Sequence, residues 1–245
     1  MIKLTNVSCR YSQEAQLKCI NLSVNEHLSI LGSNGSGKSM LAKTLCGLLD
    51  YEGSITLDTQ ELRELSKNSI AKTISYIPSK LESFDYYTTV EEFSLLGRYP
   101  YKQPFSDYSN KDRDDVNATL KQLQLYDLKE QYITALSSGQ QQLLLIAQSI
   151  LQGSQIMIFD EPTANLDPYN TLIFAKLFQT LQESHTTILI THDLTLASHL
   201  KGSVLFVQDG SAVFYEESKL FFDSANLKKL YGVSFDEKSK AVVYA

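Results

Sequence analysis

The segment Gly32-Ser33-Asn34-Gly35-Ser36-Gly37-Lys38-Ser39 follows the pattern G-x-x-x-x-G-K-[ST] and constrains the fold more than any other feature of the chain. Before it, Leu28 to Leu31 reads as a short apolar strand. After it, Met40, Leu41, Leu45, Leu48 and Leu49 fall on one face of a helix that the periodicity predicts over Lys38 to Leu49. Strand, glycine-rich loop and helix are the context in which successive backbone N–H groups curl inward around phosphate oxygens, aided by the positive end of the helix dipole. Lys38 is then placed to reach the β- and γ-phosphates of a nucleotide, and Ser39 to ligate Mg²⁺. The alternative is a glycine-rich turn without a ligand, against which the strand and helix on either side argue. A phosphate loop does not by itself name the reaction.

The rest of the chain divides around this loop. Ile2 to Ser8 and Leu17 to Val24 alternate in the manner of antiparallel strands. Gly53 to Leu57 resumes a strand, Glu61 to Ala71 has the length of a short helix, and Thr73 to Ile77 is a strand stopped by Pro78. Thr89-x-x-Glu92 is a capping box opening a helix to about Leu96, and Asn110 to Leu125 is a second amphipathic helix. Residues from about 80 to 150 therefore read as a helical insertion. Beyond them, Gln155 to Phe159, Thr186 to Ile190 and Val204 to Val207 are β-prone runs separated by helices at about Pro168 to Glu183 and Leu194 to Leu200. That alternation predicts a parallel sheet with crossover helices.

Further groups of residues carry chemistry. Ile156 to Phe159 is an apolar strand ending in Asp160 and Glu161; one strand-end carboxylate can hold Mg²⁺ and its neighbour can orient and polarise an attacking water. Leu136-Ser137-Ser138-Gly139-Gln140 opens an apolar helix and is a second anion-binding terminus, although Ser137 alone is an ordinary N-cap. Thr191-His192-Asp193 follows a strand and places an imidazole at the carboxyl edge, where parallel sheets bind ligands.

Charge and hydropathy exclude other classes. With 28 acidic against 22 basic side chains, a net charge of −6, the chain lacks the basic footprint of a nucleic-acid binder. No apolar run approaches the roughly 18–20 residues of a membrane span, and Met1-Ile2-Lys3-Leu4 does not open a secretory signal. A cytoplasmic location is expected. Cys9, Cys19 and Cys46 have neither a zinc spacing nor an even disulfide framework, so unpaired thiols are expected.

Taken in order, these elements resemble the ATP-binding cassette (ABC) family of ATPases over nearly the whole chain. The resemblance makes Gly32 to Ser39 the Walker A loop, Leu136 to Gln140 the signature, Asp160-Glu161 the end of Walker B, Asn165-Leu166-Asp167 the D-loop and His192 the switch histidine. It implies an α/β fold: a P-loop NTPase core with a parallel sheet (residues 1–79 and 151–245), including an N-terminal antiparallel β-subdomain, and an inserted helical subdomain at about 80–150. Tyr11 is similar to the aromatic residue that stacks on adenine. The cofactors implied are ATP and Mg²⁺. ATP lies against Tyr11, Gly32 to Met40 and Asp167, and the metal against Ser39 and Asp160, with Ser79 at the position of a third ligand. Glu161 and His192 carry the hydrolytic step, and Ser137, Ser138, Gly139 and Gln140 come from a second subunit.

The same resemblance implies a homodimer, peripheral on the cytoplasmic face of the membrane beneath a transmembrane permease, served indirectly by a substrate-binding protein. Gly97-Arg98-Tyr99-Pro100 is similar to a feature of importers of iron-siderophore, haem or cobalamin, and metal-chelate uptake is the expectation. Aromatic residues at Phe84, Tyr86, Tyr87, Phe93 and Tyr99 are expected to face the permease.

The chain departs from the family pattern at Ser138, where glycine is usual, and at Gln141, Gln142 and Gln148, where arginine is frequent. It departs again at Ser79, where the family carries a glutamine; a serine hydroxyl is too short to reach the metal directly, and a bridging water is the expected substitute. Two other classes remain open to the sequence. One is an ABC ATPase without a permease, as in iron–sulfur assembly; the other is a nucleotide-binding regulator of low turnover.

Overall fold

Burial along β1 (Ile2–Arg10) turns Ile2 and Leu4, then Val7 and Cys9, inward; each pair keeps the period of 2 of a strand with one covered face, and a bulge at Asn6, at φ 51°, resets the phase between them. The computed structural model describes residues 1–10, 16–81, 85, 87–231, 233–236 and 241–244. β1 pairs antiparallel with β2 (Gln16–Val24). After them come β3 (Leu28–Gly32), α1 (Lys38–Leu45), β4 (Tyr51–Leu57) and β5 (Gln60–Glu61). The order β2-β1-β4-β5 makes a four-stranded antiparallel sheet, as the N-terminal alternation predicts.

The chain continues through α2 (Lys67–Thr73), β6 (Ile74–Ile77), α3 (Val90–Leu95), α4 (Asn110–Gln122), α5 (Ser138–Gln152), β7 (Ile156–Asp160), α6 (Pro168–Gln182), β8 (Thr186–Ile190), α7 (Leu194–Ser198) and β9 (Ser203–Gln208). It closes with β10 (Ser211–Tyr215), α8 (Ser218–Phe221), α9 (Ser224–Tyr231), β11 (Val233–Asp236) and β12 (Ala241–Tyr244). The second sheet has the order β10-β9-β3-β8-β7-β6. Its neighbours from β9 to β6 are parallel, and β10 folds back antiparallel onto β9. β3 is wholly buried, in keeping with an apolar strand covered on both faces.

Burial divides between the two faces of this sheet. On one, Leu4, Ile20, Leu41, Ile55, Ile158 and Ile188 join the antiparallel sheet and α1 in a single cluster. On the other, Val90, Phe93, Val116 and Ile146 of the helical segment pack into a cluster that continues to Phe159 and Phe178. Phe159 meets Phe178 edge-on, with ring centroids 4.9 Å apart. Among the described residues, no helix is long and apolar enough to cross a membrane, and Cys9, Cys19 and Cys46 are free.

Several local expectations need correction. The helix expected to reach Leu49 ends at Leu45, because Cys46 caps it and Gly47 turns away at φ 66°. The segment expected as one helix over Glu61 to Ala71 is a strand residue pair, a 3₁₀ turn at Leu62–Glu64 and then α2, which begins where Ser66 caps the backbone of Ser69. Phe93, expected at an interface, is 2% exposed and belongs to the helical core. Tyr87 and Tyr99 are exposed, whereas Phe84 and Tyr86 lie outside the described residues. The strands β10 to β12 were not foreseen.

Candidate functional site

The loop between β3 and α1 turns on three glycines, Gly32, Gly35 and Gly37, at φ 149°, 79° and 99°, values that L side chains adopt only with strain. Gly32 is also fixed by packing: a Cβ there would lie 2.1 Å from the Val207 carbonyl oxygen of the neighbouring β9. The loop so formed borders a cavity of about 480 Å³, lined by Asn34, Gly35, Gly37, Lys38, Ser39 and Met40 together with Lys43, Leu49 and Glu161. Ser36 Oγ is buried and has no hydrogen-bond partner among the described residues, as expected of a cradle built for an external acceptor or donor.

Lys38 is 6% exposed. Its ammonium donates to the carbonyls of Gly32 and Ser33, both at 2.9 Å, which leaves one of its three N–H donors for a ligand. Burial lowers its pKa, and the nearby carboxylates of Glu161 and Asp160 oppose that shift.

Both strand-end acids face this loop. Asp160 Oδ1 accepts from Ser39 Oγ at 3.0 Å, so the two oxygens expected to hold a metal already touch. Glu161 stands at φ 50°, its N–H donating to the Ile190 carbonyl at 2.9 Å. Its carboxylate lies between two cationic or polar groups: Oε1 is 3.9 Å from Lys38 Nζ, and Oε2 accepts from His192 Nδ1 at 2.8 Å. His192 is held by Thr191, whose N–H donates to the Ile30 carbonyl and whose hydroxyl accepts from the N–H of Asp193. Sheet register thus brings residues from β3, β7 and β8 to one edge.

The donor set agrees with Mg²⁺ bound alongside a nucleotide. A serine hydroxyl and one carboxylate supply hard oxygens but too few for a closed cage, and Mg²⁺ takes its other ligands from water and phosphates. Among the described residues, no group of three His, Cys, Asp or Glu side chains forms a metal cluster.

The other expected residues lie elsewhere. Ser137 caps α5: its Oγ accepts from the N–H of Gln140 at 3.3 Å, and Gln140 Oε1 accepts from the N–H of Ser137 at 2.9 Å. Ser137 and Ser138 are exposed, Gly139 is buried, and none of residues 137–140 borders the cavity. Asp167 caps α6 and is held below the usual carboxylate range by the N–H of Asn170, with help from that residue's side chain. The two helix starts abut, since a Cβ on Gly139 would lie 2.8 Å from Asn170 Cγ. Ser79 does not border the cavity, and its carbonyl accepts from Asn165 Nδ2 at 3.1 Å. Tyr11 lies outside the described residues.

Tyr76, which no motif marks, donates its hydroxyl to Asp160 Oδ2 at 2.6 Å. In sequence it is one residue of an ordinary strand, and only the pairing of β6 with β7 brings it near the acid.

Residues 17–164 match the model of the ABC transporter family. A "Probable iron chelatin transport ATP-binding protein" of Helicobacter pylori is 32% identical over 254 aligned positions, spanning 100% of this chain and 99% of that protein. The zinc uptake system ATP-binding protein ZurA of Listeria monocytogenes is 32% identical across 88% of each chain. Among solved structures, the inward-facing form of a transporter assigned to the metal-chelate type superposes with a TM-score of 0.83 at 25% identity, covering 100% of this chain and 96% of that one. By family match, by relatives along its length and by fold, the chain belongs to the ABC transporter family, as one of its ATP-binding proteins.

Proposed function

We propose that the chain is the Mg²⁺-dependent ATPase subunit of an importer of a metal or metal chelate, acting as a pair of copies on the cytoplasmic face of a membrane beneath a permease. A substrate-binding protein would deliver the cargo. One observation carries the hydrolytic part: the Glu161 carboxylate is fixed between Lys38 and His192 at the wall of the phosphate cavity. A carboxylate so held can take the proton of a water that attacks the γ-phosphate. The backbone of Gly32 to Ser39, with the N–H groups at the start of α1, would hold the phosphates; Met40 follows in the same turn. Lys38 would neutralise them, and His192 would orient Glu161. Ser39 and Asp160 would hold Mg²⁺, which when bound supplies charge neutralisation on the transferred group. Ser79 would act on the metal only through water, and Tyr11 would stack on adenine.

Exposed Ser137 and Ser138, with Gly139 and Gln140 behind them, would close the site of the second copy, with Asp167 at the junction. Metal cargo is supported by relatives named for iron chelatin, zinc and manganese transport.

Glu161→Gln tests the reading. It should bind ATP with near wild-type affinity and hydrolyse it at least about 100-fold more slowly, the usual contribution of a general base. Turnover close to wild type would remove Glu161 from the role. Co-purification from detergent-solubilised membranes with a permease subunit is the expected companion result.

A further inference from the structure

The Walker B acid has a partner that the motifs do not name. Asp160 is 6% exposed, and each of its carboxylate oxygens is already committed: Oδ1 accepts from Ser39 Oγ at 3.0 Å and Oδ2 from Tyr76 Oη at 2.6 Å. Tyr76 stands on β6 beside Ile158 of β7, so its ring lies next to the strand that ends in the acid. The same ring lines a second cavity of about 370 Å³ together with Cys46, Leu48, Ile70, Gln148 and Gln152. Gln152, at the end of α5, donates to the carbonyl of Ile74 at 3.0 Å, and Ser154 Oγ donates to Ser75 Oγ at 2.8 Å. The helix that begins at Ser138 is therefore fastened to β6 just before Tyr76.

We propose that Tyr76 is the positioning residue of the metal site: its phenol holds the Asp160 carboxylate in the one orientation that presents Oδ1 to Ser39 and the cation. The inference rests on the Mg²⁺-ATP reading above. A short O–H···O⁻ bond is charge-assisted and strong. A carboxylate bonded at one oxygen alone can rotate about its Cβ–Cγ bond and lose its alignment, whereas one bonded at both cannot. Removing the phenol would also strand Oδ2 as a buried acceptor. Partners of this outer kind commonly change metal affinity 10–100-fold when removed.

Tyr76→Phe keeps the ring and deletes one oxygen. In the full chain, binding of a fluorescent ATP analogue is titrated with Mg²⁺ and repeated in EDTA, alongside thermal melting. The expected result is a Mg²⁺ midpoint raised about 10-fold, with unchanged binding in EDTA. In an Asp160→Asn background, where the acid is already lost, adding Tyr76→Phe should shift the midpoint no further. An unchanged midpoint in Tyr76→Phe overturns the proposal. So does equal weakening with and without Mg²⁺, which marks a merely structural role, and so does an unabated shift on the Asp160→Asn background. If the wild-type chain binds the nucleotide with no dependence on Mg²⁺, it is the Mg²⁺-ATP reading itself that fails.

Discussion

Glu161 is a non-glycine residue held at φ 50° by the bond from its N–H to Ile190. Left-handed backbone is tolerated by Asn and resisted by β-branched side chains, at roughly 1–2 kcal/mol. Glu161→Ile should therefore unfold at lower urea than Glu161→Asn, by about 1–2 kcal/mol, with both inactive. Equal midpoints for the two would show that the turn relaxes without cost. The Asp-Glu pair was legible because two acids ending an apolar strand after a phosphate loop leave few other uses. The turn that aims the second acid was not, since it is set by a neighbouring strand. Tyr76 was hidden for the same reason, being 84 residues from its partner. Lys38, Ser39 and His192 were legible because each sits inside or directly after a local strand–loop pattern.

Among the elements, the helical segment shows where a sequence motif and its structural work differ. Gly97-Arg98-Tyr99-Pro100 is similar to a feature of metal-chelate importers, yet its first two residues serve internal packing. A Cβ on Gly97 would lie 2.3 Å from the Gln148 carbonyl oxygen of α5. Arg98 Nε donates to Asp112 Oδ1 at 2.8 Å and its Nη1 to the Leu151 carbonyl at 3.0 Å. Gly97→Ala should thus destabilise the chain by about 1–3 kcal/mol, as overpacking does, and its urea midpoint would show it.

Asp112 joins that network to the cap of α4: the Ser109 hydroxyl and Arg98 hold its carboxyl down to about 2. Because the folded value lies below the unfolded one, near 3.9, this stabilisation is complete above about pH 5 and fades as pH falls through 4 to below 2. Asp112→Asn should cost on the order of 1–2 kcal/mol at pH 7 and flatten the loss of stability between pH 4 and 2. An acid limb identical to wild type would show that other carboxylates dominate it. The capping box at Thr89 and the N-cap at Ser137 were legible from spacing, whereas the reciprocal bond from Gln140 that completes a box at Ser137 emerges only in the structure. The 3₁₀ turns around Leu62 and Leu96 were not, since they follow from packing rather than periodicity.

For the whole molecule, pairing is the testable question, because the cavity beside Lys38 and the exposed Ser137-Ser138 terminus lie apart on one chain. Ser138 is the first residue of α5, where an acid favours the helix dipole. Glu161→Gln should accumulate as an ATP-bound dimer in light scattering, whereas Ser138→Glu should fold normally and bind ATP as a monomer, and adding it to Glu161→Gln should abolish that dimer; a dimer in the combined variant would exclude this surface from the contact. The architecture of the two sheets was legible in outline, since alternating strands and amphipathic helices admit few layer arrangements. The strand order was not, because β3 takes neighbours from far along the chain, β8 on one side and β9 on the other. That order also has a meaning in time. Gly32 is seated under the carbonyl of Val207, so the loop lacks its supporting wall until β9 has been synthesised. During translation the glycine-rich segment therefore emerges well before the strand it packs against, and a chain truncated ahead of Ser203 is expected to lack the seated loop.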